Sequence, residues 1–216
     1  MEPFQGYRVK GRRGMGGERM DGDAARAASE LRHRMANTLQ LLSALSRMRS
    51  QRAAEPETRR QLIWMADAIG SLGALERHRT EEEGVDFAAY LQEITPVWRR
   101  RHSSRQAELV VRCDPIRAPD TAASTLALIT QELIGNALVH GCSDDRPGRI
   151  DVAVTRLDGG RCELVVADDG AGFDPASSET RERFGLWFVR SLSAQVRGEF
   201  SLVPKPGVTC RLAFSL

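Results

Sequence analysis

The sequence lacks most of what marks a membrane or nucleic-acid protein. No apolar run approaches the ~18 residues needed to span a bilayer, and the N-terminus has no apolar core of a signal peptide. Aromatic residues are only 6% of the chain, so few platforms for base stacking exist. An excess of one charge is also missing: 31 lysines and arginines nearly cancel 29 aspartates and glutamates, leaving a formal net charge of +2. That balance makes no general case for binding nucleic acid. Paired cysteines are absent too. Cys113, Cys142, Cys162 and Cys210 form no Cys-x-x-Cys pair, and no His/Cys cluster has zinc spacing. Each lies in or beside an apolar run and reads as a small buried side chain in a reducing cytosol. The expectation is a soluble cytoplasmic protein, with neither nucleic acid nor membrane as a partner.

What is present is a chain of 216 residues, 41% hydrophobic, enough for one large domain or two small ones. Residues 1–22 are rich in Gly, Arg and Met without periodicity, and are expected to be a disordered basic tail. Leu31, Met35, Leu39, Leu42, Leu45 and Met48 recur at spacings of three and four, which predicts a helix over 23–52. Glu55-Pro56-Glu57-Thr58 should break it, because proline disfavours helix in itself and just before itself. A second helix, with Leu62, Met65, Ala66, Ile69, Leu72 and Leu75 on one side, should continue to about Arg79. Two such helices make an antiparallel hairpin with too little core of its own, so two copies should pair as a dimeric four-helix bundle. Glu81-Glu82-Glu83-Gly84 reads as a hinge, dividing 23–82 from 83–216.

Beyond the hinge, helices are expected over 86–101, 121–141 and 184–196, and strands over 108–113, 150–156, 162–167, 200–203 and 208–214. Asp158-Gly159-Gly160 and Pro204-Lys205-Pro206-Gly207 should form turns. The fold class is α+β: a helical hairpin, then an α/β sandwich whose mostly antiparallel sheet is covered by helices on one face.

Three runs carry chemistry. In the first helix, His33 and Asn37 are four apart and share a face. His33 lies about 200° around the helix from Leu31, away from the apolar stripe. A water-facing neutral imidazole offers a nitrogen lone pair to phosphorus. Asn37 could hold the other ring nitrogen or a phosphoryl oxygen. A solitary surface histidine is ordinarily just a solvated side chain, and His78 and His102 are read that way. In the helix over 121–141, Glu132, Asn136 and His140 form a polar row at steps of four, with Leu126, Ile129, Leu133 and Ala137 on the core side. A carboxylate and an amide oxygen one turn apart suit Mg²⁺ held together with phosphates and water. After the strand over 162–167 comes Asp168-Asp169-Gly170-Ala171-Gly172, a sharp turn whose first carboxylate can accept a hydrogen bond from an exocyclic amine. Gly185-Leu186 opens a helix, where backbone N–H groups attract phosphate.

In this order, the runs resemble the catalytic core of sensor histidine kinases over about residues 23–216. The His33 run looks like the phosphoacceptor box of the subgroup that reads His-Arg-x-x-Asn-x-Leu-Gln. The Glu132 run looks like the N box of the GHKL-type ATPase domain, Asp168 to Gly172 like its G1 box, and Gly185-Leu186 like part of its G2 box. The resemblance implies that His33 accepts phosphate from ATP within a homodimer. Glu132 and Asn136 would bind Mg²⁺ and position the γ-phosphate, and Asp168 would take the adenine amine. Gly170 and Gly172 would shape the pocket, with Thr209 near the base. The phosphoryl group would pass to an aspartate of a response regulator receiver domain.

Departures from the family pattern are specific. Val139 stands where the N box often has lysine, Arg183 replaces the first glycine of Gly-x-Gly-Leu, and the segment between Gly172 and Gly185 is short, implying a small ATP lid. A phosphate partner is lost, and Arg183 is a candidate substitute cation. Arg34 follows His33 where other subgroups place an acid, leaving Glu132 and Glu30 as candidates for the general base. Residues 1–22 are not expected to fold into a sensor, so input is expected from a separate protein, or the chain is a relay component. The alternative function is a histidine phosphotransferase of the same architecture that relays phosphate between regulators without ATP. A third reading, an ATP-binding anti-sigma switch protein that phosphorylates serine, would not need the His33 box.

Overall fold

The computed structural model describes residues 17–80, 84–101, 107–142, 148–172, 184–204 and 207–216. Residues 1–16, the acidic part of the hinge (81–83), His102, Arg183 with the expected lid, and Lys205-Pro206 lie outside the described residues.

Helix α1 spans Gly17–Arg52, so the backbone is already helical over 17–22, which were expected in the tail. Pro56 opens α2, Pro56–Glu76. In a first helical turn its missing N–H has no role to lose. The two helices run antiparallel. Ser43 Oγ donates to the Ala66 carbonyl at 2.7 Å, Arg47 pairs with Asp67, and Gly73 sits where a Cβ would come within 3.2 Å of Leu39 Cβ. On α1 the residues buried in this seam are small and seven apart: Ala36, Ser43 and Ser50. The larger residues of the expected stripe, Leu31, Met35, Leu42, Leu45 and Met48, are exposed instead. The hairpin therefore closes through small side chains that let the backbones approach, and presents an apolar face outward.

A small sheet follows, made of β1 (Arg79–Thr80), β2 (Gly84–Asp86) and β4 (Arg117–Ala118) in the order β1-β2-β4. These short strands were not expected from the sequence. Between them lie α3 (Phe87–Arg101) and β3 (Ala107–Cys113). Helix α4, Asp120–Asn136, continues as a wide π-helical turn over Ala137–Gly141. Then come β5 (Gly148–Arg156), a turn through Gly159 and Gly160, both at positive φ, and β6 (Arg161–Asp168). Helix α5 (Phe184–Gln195), β7 (Glu199–Val203) and β8 (Val208–Ser215) complete the domain.

The main sheet has the order β3-β5-β6-β8-β7, and only the β3–β5 pair is parallel. Alternation separates its faces. Ile150, Val152 and Val154, with Leu164, Val166, Leu212 and Phe214, turn into one core with Trp98, Leu126, Ile129 and Ile134 from the helices. Polar atoms in that core are matched: the Trp98 indole donates to Gln131 Oε1 at 2.6 Å, and Ser71 on α2 meets the Tyr90 hydroxyl at 2.5 Å. Asp120–Gly141, at 22 residues, is by length and composition the one described helix apolar enough to cross a bilayer, contrary to the sequence expectation. Since 67% of its apolar window is buried inside the protein, it serves as the core helix of the sandwich.

Candidate functional site

The polar row on α4 meets α2 and the start of α5. Glu132 is buried, and both of its oxygens are engaged. The Asn136 amide donates to Oε1 at 3.1 Å, and the Trp64 indole N–H, from α2, donates to Oε2 at 2.5 Å. The Trp64 ring also stands edge-on to Phe188 of α5, centroids 5.3 Å apart. Gly185 explains itself here: a Cβ would fall 2.0 Å from Glu132 Oε1, so only hydrogen fits between the head of α5 and the carboxylate.

Past Asn136 the wide turn displaces the regular four-residue row, yet Val139, His140 and Gly141 still face the same cavity. Gly141 backs onto β6, where a Cβ would lie 2.5 Å from the Asp168 carboxyl carbon. Asp168 sits at the strand end and is half-buried. Its Oδ1 accepts from the Gly170 N–H at 2.9 Å and the Val208 N–H at 3.3 Å. Burial pushes its pKa above the ordinary aspartate range, the two backbone donors pull it back, and Asp169 adds a small upward push. Gly170 does not line the cavity. It packs where a Cβ would come 2.4 Å from the Gly141 carbonyl, while Gly172, at φ +69°, turns the chain in the left-handed region and does line it.

These elements enclose one cavity of about 660 Å³, within the usual range for a small-molecule site. Glu132, Asn136, Asp168, Gly172, Gly185 and Leu186 line it together, although they come from α4, β6 and α5. Val166, Leu202, Val208 and Cys210 supply an apolar wall around Asp168. Thr209 is a correction. Alternation along β8 turns Val208 and Cys210 into the cavity and Thr209 to the other side of the sheet, so the sequence placement was off by one strand position.

His33 and Asn37 are exposed on α1 and are not among the cavity's lining residues. Near them, Arg34 bonds Glu30 at 2.5 Å on the surface. The cavity also has a wall that sequence reasoning missed: Glu57 and Arg60, from the first turns of α2. Trp64 was missed as well. It is 68 positions from Glu132, and no local pattern links residues across that distance. Among the described residues no group of three or more His, Cys, Asp or Glu could hold a metal. Glu132 and Asn136 offer a carboxylate and an amide oxygen only, which suits Mg²⁺ arriving with phosphate and water and does not suit a metal caged by protein alone.

Comparison with known proteins assigns both halves. Residues 30–101 match the family model described as histidine kinase, and residues 121–216 match the one described as histidine kinase-, DNA gyrase B-, and HSP90-like ATPase. The sensor histidine kinase PdtaS of Mycobacterium tuberculosis is 27% identical over 179 residues, covering 80% of this chain and 36% of that protein. Blue-light-activated histidine kinase 2 of Erythrobacter litoralis is 25% identical over 187 residues, covering 79% of this chain and 52% of that protein. The chain thus spans between about a third and about half of these relatives. The solved histidine kinase domain of the Erythrobacter litoralis EL346 blue-light activated kinase superposes with a TM-score of 0.67 at 21% identity, covering 92% of this chain and 94% of that one, a likeness of fold.

Proposed function

Residues 30–101 belong to the histidine kinase family and residues 121–216 to its ATPase family, and from that premise we propose that the chain is a two-component histidine kinase. It binds ATP with Mg²⁺, phosphorylates His33, and passes the phosphoryl group to a response regulator aspartate in the cytoplasm. The observation that carries the reading is the single cavity where Glu132, Asn136, Asp168 and Gly185 converge from separate elements.

Asp168, at the apolar end of the cavity, takes the adenine amine, with Val208 and Cys210 against the base. Asn136 and Glu132 would hold Mg²⁺, which when bound would neutralise developing charge on the phosphates. Indole and amide donors fix the Glu132 carboxylate, so its orientation is set before substrate arrives. The exposed His33 imidazole attacks the γ-phosphorus with its lone pair. The bond from that phosphorus to the β–γ bridging oxygen breaks, and ADP leaves. The ring then gives up its N–H proton to a base, for which Glu30 and Glu132 are the candidates, while Asn37 positions ring or phosphoryl oxygen. In the second step an aspartate oxygen of the receiver attacks the phosphorus, the N–P bond breaks, and the ring regains a proton. Since His33 does not line the cavity, transfer requires the hairpin and the sandwich to move relative to each other, or His33 to come from a second copy. The exposed apolar face of α1 favours a homodimer.

Incubation with γ-labelled ATP and Mg²⁺ tests this. Acid-labile label on the wild type, absent from His33→Ala, is the expected result. A chain that takes no label from ATP but accepts it from a phosphorylated receiver domain is the phosphotransferase instead. Acid-stable label on an added protein would indicate a serine kinase.

A further inference from the structure

The acidic, basic and histidine side chains lining the cavity are Glu57, Arg60, Glu132, His140 and Asp168. Three are carboxylates, so a polyphosphate entering this space meets more repulsion than attraction unless a cation is supplied. Among the described lining residues Arg60 is the one arginine or lysine. Lysine is nearly missing from the chain: Lys10 and Lys205 are its only two, both outside the described residues. The place of Arg60 is fixed by its neighbour. It lies one helical turn before Trp64 on the same face of α2, and Trp64 is anchored on Glu132 and against Phe188. That anchor turns the Arg60 face of α2 toward the cavity. Among the described residues, the guanidinium is held only by Glu57, through Nε at 3.0 Å and Nη2 at 2.7 Å. Both side chains are largely exposed, at 74% and 64%, and an exposed pair of this kind adds little to stability. A phosphate can therefore take the place of Glu57 at small expense, and a planar guanidinium binds it through two parallel hydrogen bonds.

We propose that Arg60 is a phosphate-binding residue of the nucleotide site, supplied by the helical hairpin and not by the sandwich. The assignment rests on the ATP reading above. The sandwich recognises the adenine end through Asp168. The hairpin takes a terminal phosphate through Arg60, exchanging Glu57 for it, so a bound triphosphate ties the two parts together.

Calorimetric titration of the full chain, in Mg²⁺, with adenosine and with the non-hydrolysable analogue adenylyl imidodiphosphate tests the proposal. Arg60→Ala should weaken the triphosphate analogue by about tenfold and leave the adenosine Kd unchanged. Arg60→Lys should recover part of that loss. Glu57→Gln, which removes the competing anion, should tighten the analogue by about threefold. The proposal is overturned if Arg60→Ala binds the analogue as the wild type does, which would leave the role to a cation such as Arg183, or if adenosine weakens equally. A wild type that binds neither ligand would remove the ATP reading itself, and Arg60 with it.

Discussion

At single positions, the site is held by what cannot be added to it. Gly185→Ala puts a methyl group onto Glu132 Oε1, displacing the carboxylate or the head of α5. We expect nucleotide affinity to fall at least about tenfold with secondary structure retained, read by titration and circular dichroism. Asp168 carries a cost of the opposite kind. Its pKa is raised in the folded state, first by burial. The folded chain therefore holds a proton more tightly than the unfolded one, and stability falls as pH rises from the ordinary aspartate value through the raised one. Asp168→Asn can keep the Gly170 and Val208 bonds without the buried charge. Its melting temperature should exceed that of the wild type at pH 7, the advantage should disappear below about pH 4, and adenosine binding should be lost. Equal melting curves at pH 7 would contradict the sign. His33 is exposed, so its substitution should change stability by less than about 0.5 kcal/mol while abolishing the label from ATP.

At the level of elements, Trp64 is one of the points where α2 grips the sandwich, the Ser71–Tyr90 bond being another. Trp64→Phe keeps an aromatic edge for Phe188 and deletes the donor to Glu132. It should cost about 1–3 kcal/mol in chemical unfolding, since a buried carboxylate oxygen loses its partner, and it should slow His33 phosphorylation. Elements with long periodic patterns were legible in the sequence. The apolar run over 121–141, the alternating strands 150–156 and 162–167 and the Asp158-Gly159-Gly160 turn all lie within a residue or two of where they were expected. Strands of two or three residues, such as Arg79–Thr80 and Arg117–Ala118, carry no measurable period and exist through their pairing with Gly84–Asp86. The same limit applies to the site. Glu132, Asn136 and Asp168 were visible because each sits in a local motif. Trp64 and Arg60 were not, because tertiary docking alone brings them to the cavity. Thr209 failed through register: in a strand one step exchanges inside for outside.

For the whole molecule, the outward face of the hairpin sets the expected assembly. Leu31, Met35, Leu42 and Leu45, at helical spacing on α1, form an exposed apolar stripe on a single copy. Replacing Leu42 and Leu45 together by lysine should leave the sandwich folded and convert a dimer to a monomer, read by light scattering on a sizing column. A wild type that elutes as a monomer at micromolar concentration would remove the bundle. A different consequence follows from the strand order. The segment made last in this domain, Val208–Ser215, lies between β6 and β7 and not at a border of the sheet. While the domain is being translated, both neighbours stand with unpaired backbone until those eight residues leave the ribosome. The sandwich therefore cannot mature piece by piece during synthesis, and a nonsense mutation even at residue 207 would leave β7 without its partner strand, a substrate for proteases and chaperones.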